Sequence, residues 1–309
     1  MSLSTDSTET PRQASPSLLA VLGGYVALTK PRVIELLLVT TAPAMFLAAR
    51  GIPDLWLVLG VLVGGALSAG SANAFNMFID RDIDQLMSRT KGRPIVAGII
   101  SPRAALVFAT VIGALSIVML WVIANPLTAL LSLSAILFYV FVYTLLLKRR
   151  TEQNIVWGGI AGCFPVLIGW SAVTGSLSLE PWILFLLVFV WTPAHYWPLS
   201  LRYASDYAAA DVPMLSVLRP KVSVGLQVIL YTWATVAASL ILIPAGNMGL
   251  LYTAVAIVAG GWFLFEAHSL YNRTVDLKDP SPMRVFHASN TYLTAVFIAV
   301  ALDPLVALR

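Results

Sequence analysis

Apolar and polar positions along this chain follow neither the two-residue alternation of half-buried strands nor the narrow stripe of surface helices. Apolar residues instead run for about twenty positions at a time, the length a helix needs to cross a bilayer. Counted that way, spans fall at residues 33–49, 55–77, 104–123, 127–147, 155–174, 182–201, 222–243, 249–270 and 288–306. The pattern predicts an all-α membrane protein with nine transmembrane helices and its termini on opposite sides. Residues 1–18 (MSLSTDSTETPRQASPSL) are polar, rich in Ser and Thr and without period, which predicts a flexible tail ahead of a single transmembrane domain over 19–309. A basic start and a short apolar core before a small-residue cleavage site are missing, so no cleaved signal peptide is expected.

Composition sharpens this. Of 309 residues, 59% are hydrophobic and 11% charged, a balance that excludes disorder, coiled coil and an ordinary cytosolic enzyme. The 19 Lys and Arg against 15 Asp and Glu give a net charge of +4. On the nine-span reading only Arg50 and Arg309 lie on one side and every other Lys and Arg lies on the other. The positive-inside rule then puts the N-terminus in the cytoplasm and the C-terminus outside, in the cell (inner or plasma) membrane. The basic balance is accounted for by those loops, and nucleic acid is not an expected partner. Cys163 is the only cysteine; it cannot form an intrachain disulfide and reads as a small packing residue. Gly158 and Gly162, and Gly60, Gly64 and Gly65, read as close helix packing.

Two loops on the basic side, about 78–103 and 202–221, are far longer than the others and rich in Asp and Arg. Loops of that length are usually functional or disordered. They sit four helices apart, which hints at a duplicated four-helix unit. The first begins NAFNMFIDRDIDQLMSRTKGRP, with Asn76, Asp80 and Asp84 spaced four apart and so sharing one helix face. Oxygen ligands in that arrangement suit Mg²⁺, which takes one or two carboxylates and completes its shell with waters and phosphates. Arg81, Arg89, Lys91 and Arg93 follow closely, and arginine forks match phosphate oxygens. Together these residues point to a held diphosphate; the plain alternative is a solvated, charge-balanced helix end. Asp82 lies off the shared face and reads as an ion-pair partner of Arg81 or Arg89. The second loop supplies Arg202, Tyr203, Asp206 and Asp211, and a third segment Tyr143, Lys148, Arg149, Arg150 and Asn154.

NxxxDxxxD followed by RTxxRP resembles the first motif of UbiA-type intramembrane prenyltransferases. TKPRVIELLLVTT, YTLLLKRRTEQNIVWGG, TPAHYWPLSLRYASDYAAADVPML and VFHASNTYL resemble the branch of that superfamily that farnesylates heme b, in collinear order from about Tyr25 to Tyr292. The resemblance implies Asn76, Asp80, Asp84 and Asp206 as ligands of Mg²⁺, with Asp80, Asp84 and Asp206 as the catalytic acids. It matches Arg89, Arg93 and Lys148 to positions that grip the phosphates of farnesyl diphosphate; Arg81, Tyr143 and Arg202, read from their own segments, are the further candidate substrate-binding residues. Heme b is the implied acceptor, a substrate rather than a prosthetic group, with membrane lipid around the chain and a heme A synthase or terminal oxidase downstream. The second motif departs from that branch at Ser205, Asp211 and Ser216. His195 and His287 match histidines of the branch; each is either a heme contact or a hydrogen bond to a neighbouring helix. His268 reads as structural, and Glu35 and Glu266 as groups bonded within the bundle. An acceptor other than heme, such as a quinone precursor, would leave the diphosphate residues unchanged. A transporter is the third class, and the clustering of the acids at one face argues against it.

Overall fold

The computed structural model describes residues 17–307. Among them every regular element is helical, and nine helices are long and apolar enough to cross a membrane. In chain order α1 (Leu18–Thr29) precedes α2 (Pro31–Ala49), α3 (Leu55–Ile79) and the single turn α4 (Arg81–Asp84). Then come α5 (Pro102–Ile123), α6 (Pro126–Leu137), α7 (Asn154–Gly158), α8 (Phe164–Thr174) and α9 (Leu179–Arg202). The loop turns α10 (Ala204–Ala209) and α11 (Leu215–Leu218) lead to α12 (Lys221–Ala245), α13 (Leu250–Val275) and α14 (Pro282–Ala307). The fourth span is α6 continued by a π-helical stretch, Phe138–Leu147, and the fifth is α7 and α8 joined by a 3₁₀ stretch, Gly159–Cys163.

The ends of these helices follow local chemistry. Proline opens α2, α5 and α6, where a missing N–H costs nothing. Asp54 caps α3, Ser101 caps α5 and Asn125 caps α6 by accepting from backbone N–H groups of the first turn. Asp303 of α14 accepts from the backbone of Gly249 and Tyr252 and so caps α13 from across the bundle. Outward faces stay apolar: α5 exposes Val107, Val111, Leu115 and Val118 at helical spacing, as lipid requires, while Ala105, Ala109 and Gly113 face the bundle.

α3 packs on α5, α5 on α6, α9 and α13 on α12, α14 on α13 and α9, and α2 on both α8 and α14, closing a ring around a central space. Glycines let several of these helices approach. A Cβ on Gly60 would strike Ile123, one on Gly64 Leu120 and one on Gly158 the Tyr143 ring, so these three pack as their spacing predicts. Gly65 and Gly162 do not, because nothing lies within 4 Å of where their Cβ would stand. Cys163 is buried and its thiol donates to the Gly159 carbonyl, a packing role.

All nine spans match those read from the sequence, with two extended at the polar end. α13 runs five residues beyond position 270, to Val275, and α14 begins at Pro282 rather than 288. Hydropathy detects only the apolar middle of a helix, and these added turns carry Arg273 and Arg284. The pattern also missed α1, an apolar helix too short to span that Ser17 caps through Ala20 N. Its Leu28 packs with Ala74, Met77, Ile95 and Ile100. The predicted tail therefore ends by Ser17, and its residues 1–16 lie outside the described residues.

Candidate functional site

Asp80 separates α3 from α4 without breaking the turn, since Asp84 N donates to Asp80 O at 2.9 Å. Asn76, Asp80 and Asp84 therefore do share one face, and all three are buried, at 2%, 0% and 2% exposure. Asn76 Nδ2 donates to Asp80 Oδ2 at 2.7 Å and to Thr144 Oγ1 at 3.2 Å. Lys148 donates to Asp80 Oδ2, and Arg149 reaches Asp80 Oδ1 at 3.3 Å. A turn through Thr90, whose hydroxyl donates to the Asp84 carbonyl at 2.9 Å, brings Arg93 onto Asp84 Oδ2 at 2.6 Å. Asp84 Oδ1 accepts from no described residue.

Lys30 was overlooked in the sequence. It stands at the α1–α2 junction with φ 53°, and its ammonium donates to Asn76 Oδ1 at 2.7 Å. Burial, then the charges of Arg93 and Lys148, push its pKa well below the ordinary lysine value. A buried cation under that pressure favours an anion beside it. The signal was present in the Lys-Pro pair that opens the first span, but a cation there equally suits a membrane interface.

Lys30, Asn76, Asp84, Arg93 and Lys148 line a cavity of about 800 Å³, and Asp80 lies behind that wall, fully buried. Lys30, Arg32, Arg89, Arg93 and Lys148 line it, against the acids Glu35 and Asp84; that surplus of cations suits an anionic ligand. Tyr139 and Tyr143 of the π-helical stretch line the same wall with ring centroids 5.2 Å apart. The wider π turn, marked by Lys148 N donating to the Tyr143 carbonyl five residues back at 2.9 Å, is a departure that often falls at functional sites. It has no sequence signature in an apolar run.

His195 of α9 also lines the cavity. Its ring is stacked between Trp191 and Phe286, at centroid distances of 4.3 and 4.5 Å. Its Nδ1 is 2.8 Å from Ser289 Oγ. Ser289 Oγ donates to the Phe286 carbonyl at 2.7 Å, so it accepts from His195, and the proton sits on Nδ1. Nε2 keeps its lone pair and has no partner among the described residues. Asn290, next to Ser289, also lines the cavity and carries a buried Oδ1 without a partner.

Four of the expected site residues lie off the cavity wall. Arg81 is exposed, donates to the Phe78 carbonyl at 2.7 Å and lies over the Phe78 ring. One residue beyond Asp80 it is a quarter-turn off the acidic face, outside the cavity wall. Arg202, at the exposed end of α9, and His287, exposed beside Phe286, also lie off the wall for reasons of helix phase. Asp206 stands apart from the other three proposed metal ligands. Its carboxylate accepts from Ser88 Oγ at 2.8 and 2.9 Å and from Arg89 N at 3.2 Å. It pins the two long loops together, which does place them on one face as their spacing predicts. The Ser88 hydroxyl foremost holds the Asp206 carboxyl below its ordinary pKa, so the clamp's stabilisation is present above the usual carboxylate range and is lost only as pH falls through the lowered value.

Arg89, Arg93, Lys148 and Tyr143 line the cavity as expected. Arg89 is held by the loops themselves, 3.2 Å from the Tyr207 hydroxyl and over the Tyr203 and Tyr207 rings. Asp82 pairs with Arg149 at 2.7 Å rather than with Arg81 or Arg89. Glu266 pairs with Arg284 at 2.8 Å, and His268 bonds the Leu264 carbonyl, both structural. Glu35, expected to be bonded in the bundle, has no hydrogen bond among the described residues.

Among the described residues no three of His, Cys, Asp and Glu converge as metal ligands. The set that does converge is one amide and two carboxylates, all hard oxygen donors, with Asp84 Oδ1 unpartnered beside a cation-lined cavity. That set fits Mg²⁺, which draws its remaining ligands from water and phosphate.

A membrane bundle closed around oxygen ligands, excess cations and an apolar interior defines an intramembrane transferase of diphosphate esters. The chain belongs to the UbiA prenyltransferase family, whose sequence profile matches residues 37–290. It is 66% identical over 281 residues to the protoheme IX farnesyltransferase of Clavibacter michiganensis subsp. michiganensis, covering 91% of this chain and 92% of that one. With the protoheme IX farnesyltransferase of Pseudarthrobacter chlorophenolicus it shares 56% over 312 residues, 99% and 98% of the two chains. The fold is that of a digeranylgeranylglyceryl phosphate synthase (TM-score 0.74, 15% identity, 92% of this chain and 98% of that one). It is also that of a UbiA homolog from Archaeoglobus fulgidus bound to DMAPP and Mg²⁺ (TM-score 0.68, 16% identity, 90% and 99%).

Proposed function

We propose that this chain transfers the farnesyl group of farnesyl diphosphate to a vinyl group of heme b, giving heme O and releasing diphosphate. The observation that carries this is that one cavity joins a cation-rich mouth, an apolar interior and a free imidazole nitrogen. High identity to the two protoheme IX farnesyltransferases supports the acceptor.

The diphosphate lies among Lys30, Arg89, Arg93 and Lys148. Asn76, Asp80 and Asp84 would hold Mg²⁺, which would supply charge neutralisation to the departing diphosphate. Lys148 and Arg93, which pair with Asp80 and Asp84, would give up those acids for phosphate oxygens. The bond from the farnesyl C1 to the diphosphate oxygen breaks, and the faces of Tyr139 and Tyr143 stabilise the allylic cation while excluding water. The vinyl π electrons of heme b form the new carbon–carbon bond to C1. The cation left beside the porphyrin ring takes the oxygen of a water molecule and loses a proton, which gives the hydroxyethylfarnesyl group. His195 Nε2 faces the porphyrin iron.

By the positive-inside rule these loops lie in the cytoplasm, with the N-terminus inside, the C-terminus outside and the chain in the plasma membrane. The helices from Leu18 to Ala307 make up one domain. The product is the substrate class a heme A synthase or terminal oxidase consumes.

The decisive measurement incubates the purified protein with heme b, farnesyl diphosphate and Mg²⁺ and seeks heme O by mass spectrometry, with EDTA as the control. An EDTA-sensitive product is expected. Farnesyl diphosphate hydrolysed while heme b stays intact would overturn the acceptor and favour a quinone precursor or another aromatic ring. Asp206→Ala, which frees the two loops, is expected to raise KM for farnesyl diphosphate several-fold with kcat largely kept. A shifted Mg²⁺ midpoint in that variant would return Asp206 to the metal set.

A further inference from the structure

Gly65 and Gly162 have open space where a side chain would stand, and that space is a second, apolar cavity of about 160 Å³. It continues the first, sharing Val33, Asn73, Tyr139, Ala161 and Gly162 with it. Each wall descends in the same direction from those shared residues: to Thr41 on α2, to Gly65 on α3, to Ala135 on α6 and to Ile168 on α8. From Asn73 to Gly65 the descent along α3 is roughly 12 Å at the helical rise per residue. Two of the wall hydroxyls are turned onto protein: Thr41 donates to the Leu37 carbonyl, and Ser68 accepts from Ser132. No polar ligand is called for. Beyond Ile168 the slot ends on a packed cluster of Met45, Val61, Leu120 and Ala129.

We propose that the blind end of this slot, formed by Gly65 and Ile168, sets the length of the prenyl chain that the enzyme accepts. The inference rests on the reading above, which fixes the diphosphate at the mouth; the chain then extends away from it, and its last isoprene unit meets Gly65 and Ile168. Gly65 is glycine because any side chain there occupies the slot itself. Ile168 is the lid over the outer cluster.

The two residues give opposite expectations. Gly65→Leu fills the end of the slot, and Ile168→Ala extends it toward Met45 and Val61. The test offers wild type and variants equal concentrations of geranyl, farnesyl and geranylgeranyl diphosphates with heme b and Mg²⁺, and weighs the prenylated hemes by mass. Gly65→Leu should shift the product ratio from farnesyl toward geranyl, and Ile168→Ala from farnesyl toward geranylgeranyl, each by about tenfold or more for the unit gained or lost. Gly65→Ala, a methyl added into open space, should reduce geranylgeranyl use first; it decides the matter if the leucine variant is not recovered folded. Variants that prenylate heme with the wild-type ratio overturn the inference alone. A wild-type protein that prenylates heme with none of the three overturns the functional reading and the inference together.

Discussion

Replacing Asp84 by Asn is expected to lower farnesyl transfer by about a hundred- to a thousandfold, the usual cost of removing one group that stabilises transition-state charge. Among the acids Asp84 is the informative choice. Asp80 is fully buried and holds Lys148 and Arg149; its removal leaves the largely buried Lys148 unpaired, and lost activity would be confounded with lost fold. Asp84 pairs with one partly exposed arginine, Arg93, and keeps Oδ1 free of protein partners. Asn preserves its shape and its acceptor while deleting the charge. The two roles of that charge also predict opposite signs. Without Mg²⁺, Asp84 repels the diphosphate, so Asp84→Asn should bind farnesyl diphosphate as well as wild type or better. With Mg²⁺, wild type should gain affinity and the variant should not. Titration calorimetry with and without the metal, beside single-turnover rates, reads both. Mg²⁺-dependent turnover at the wild-type rate would remove Asp84 from the metal set.

How far the sequence carried this site depends on which physical signal each residue leaves. The nine spans were legible because lipid demands long apolar runs, and α1 escaped because a helix too short to cross gives no such run. Asn76, Asp80 and Asp84 were legible because four-residue spacing is a property of one helix and needs no knowledge of its neighbours. The same rule, applied strictly, would have removed Arg81 and His287, which sit one residue away from Asp80 and Phe286 and so turn off the face that matters. Their chemistry suited the site but their phase did not. The bonds Asp206 makes to Ser88 and Arg89 were not legible, since they depend on how two distant loops meet. Gly65 and Gly162 mark the limit of pattern reading most clearly. Beside Gly64 and Gly158, which receive Leu120 and Tyr143, they look identical in sequence, and only the packed bundle distinguishes a glycine that admits a neighbour from one that leaves a space. The π-helical stretch that presents Tyr139 and Tyr143 was hidden for a related reason: its residues are as apolar as those of the α-helix before it.

Replacing His195 by Ala is expected to weaken heme b binding by about tenfold or more, the scale on which ligand and supporting groups act in metal sites, with farnesyl diphosphate affinity unchanged. The argument is geometric. Trp191 and Phe286 clamp the ring on both faces, and Ser289, spending its own proton on the Phe286 carbonyl, accepts the proton of Nδ1. The fixing leaves Nε2 as a basic nitrogen without a partner among the described residues, on a side chain that lines the cavity, the arrangement that suits an axial bond to iron. The bond would hold the porphyrin in register, so that one vinyl group meets the farnesyl C1 beside Tyr139. The heme absorption spectrum separates this from a structural role. Wild type should show an imidazole-ligated iron, His195→Ala should lose that signature, and added imidazole should restore both spectrum and turnover. Ser289→Ala, which frees the tautomer but keeps the ring, should fall between the two. An unchanged heme spectrum and affinity in His195→Ala would return the residue to helix packing and leave the porphyrin held by its edge, where Arg32 and Asn290 line the same cavity.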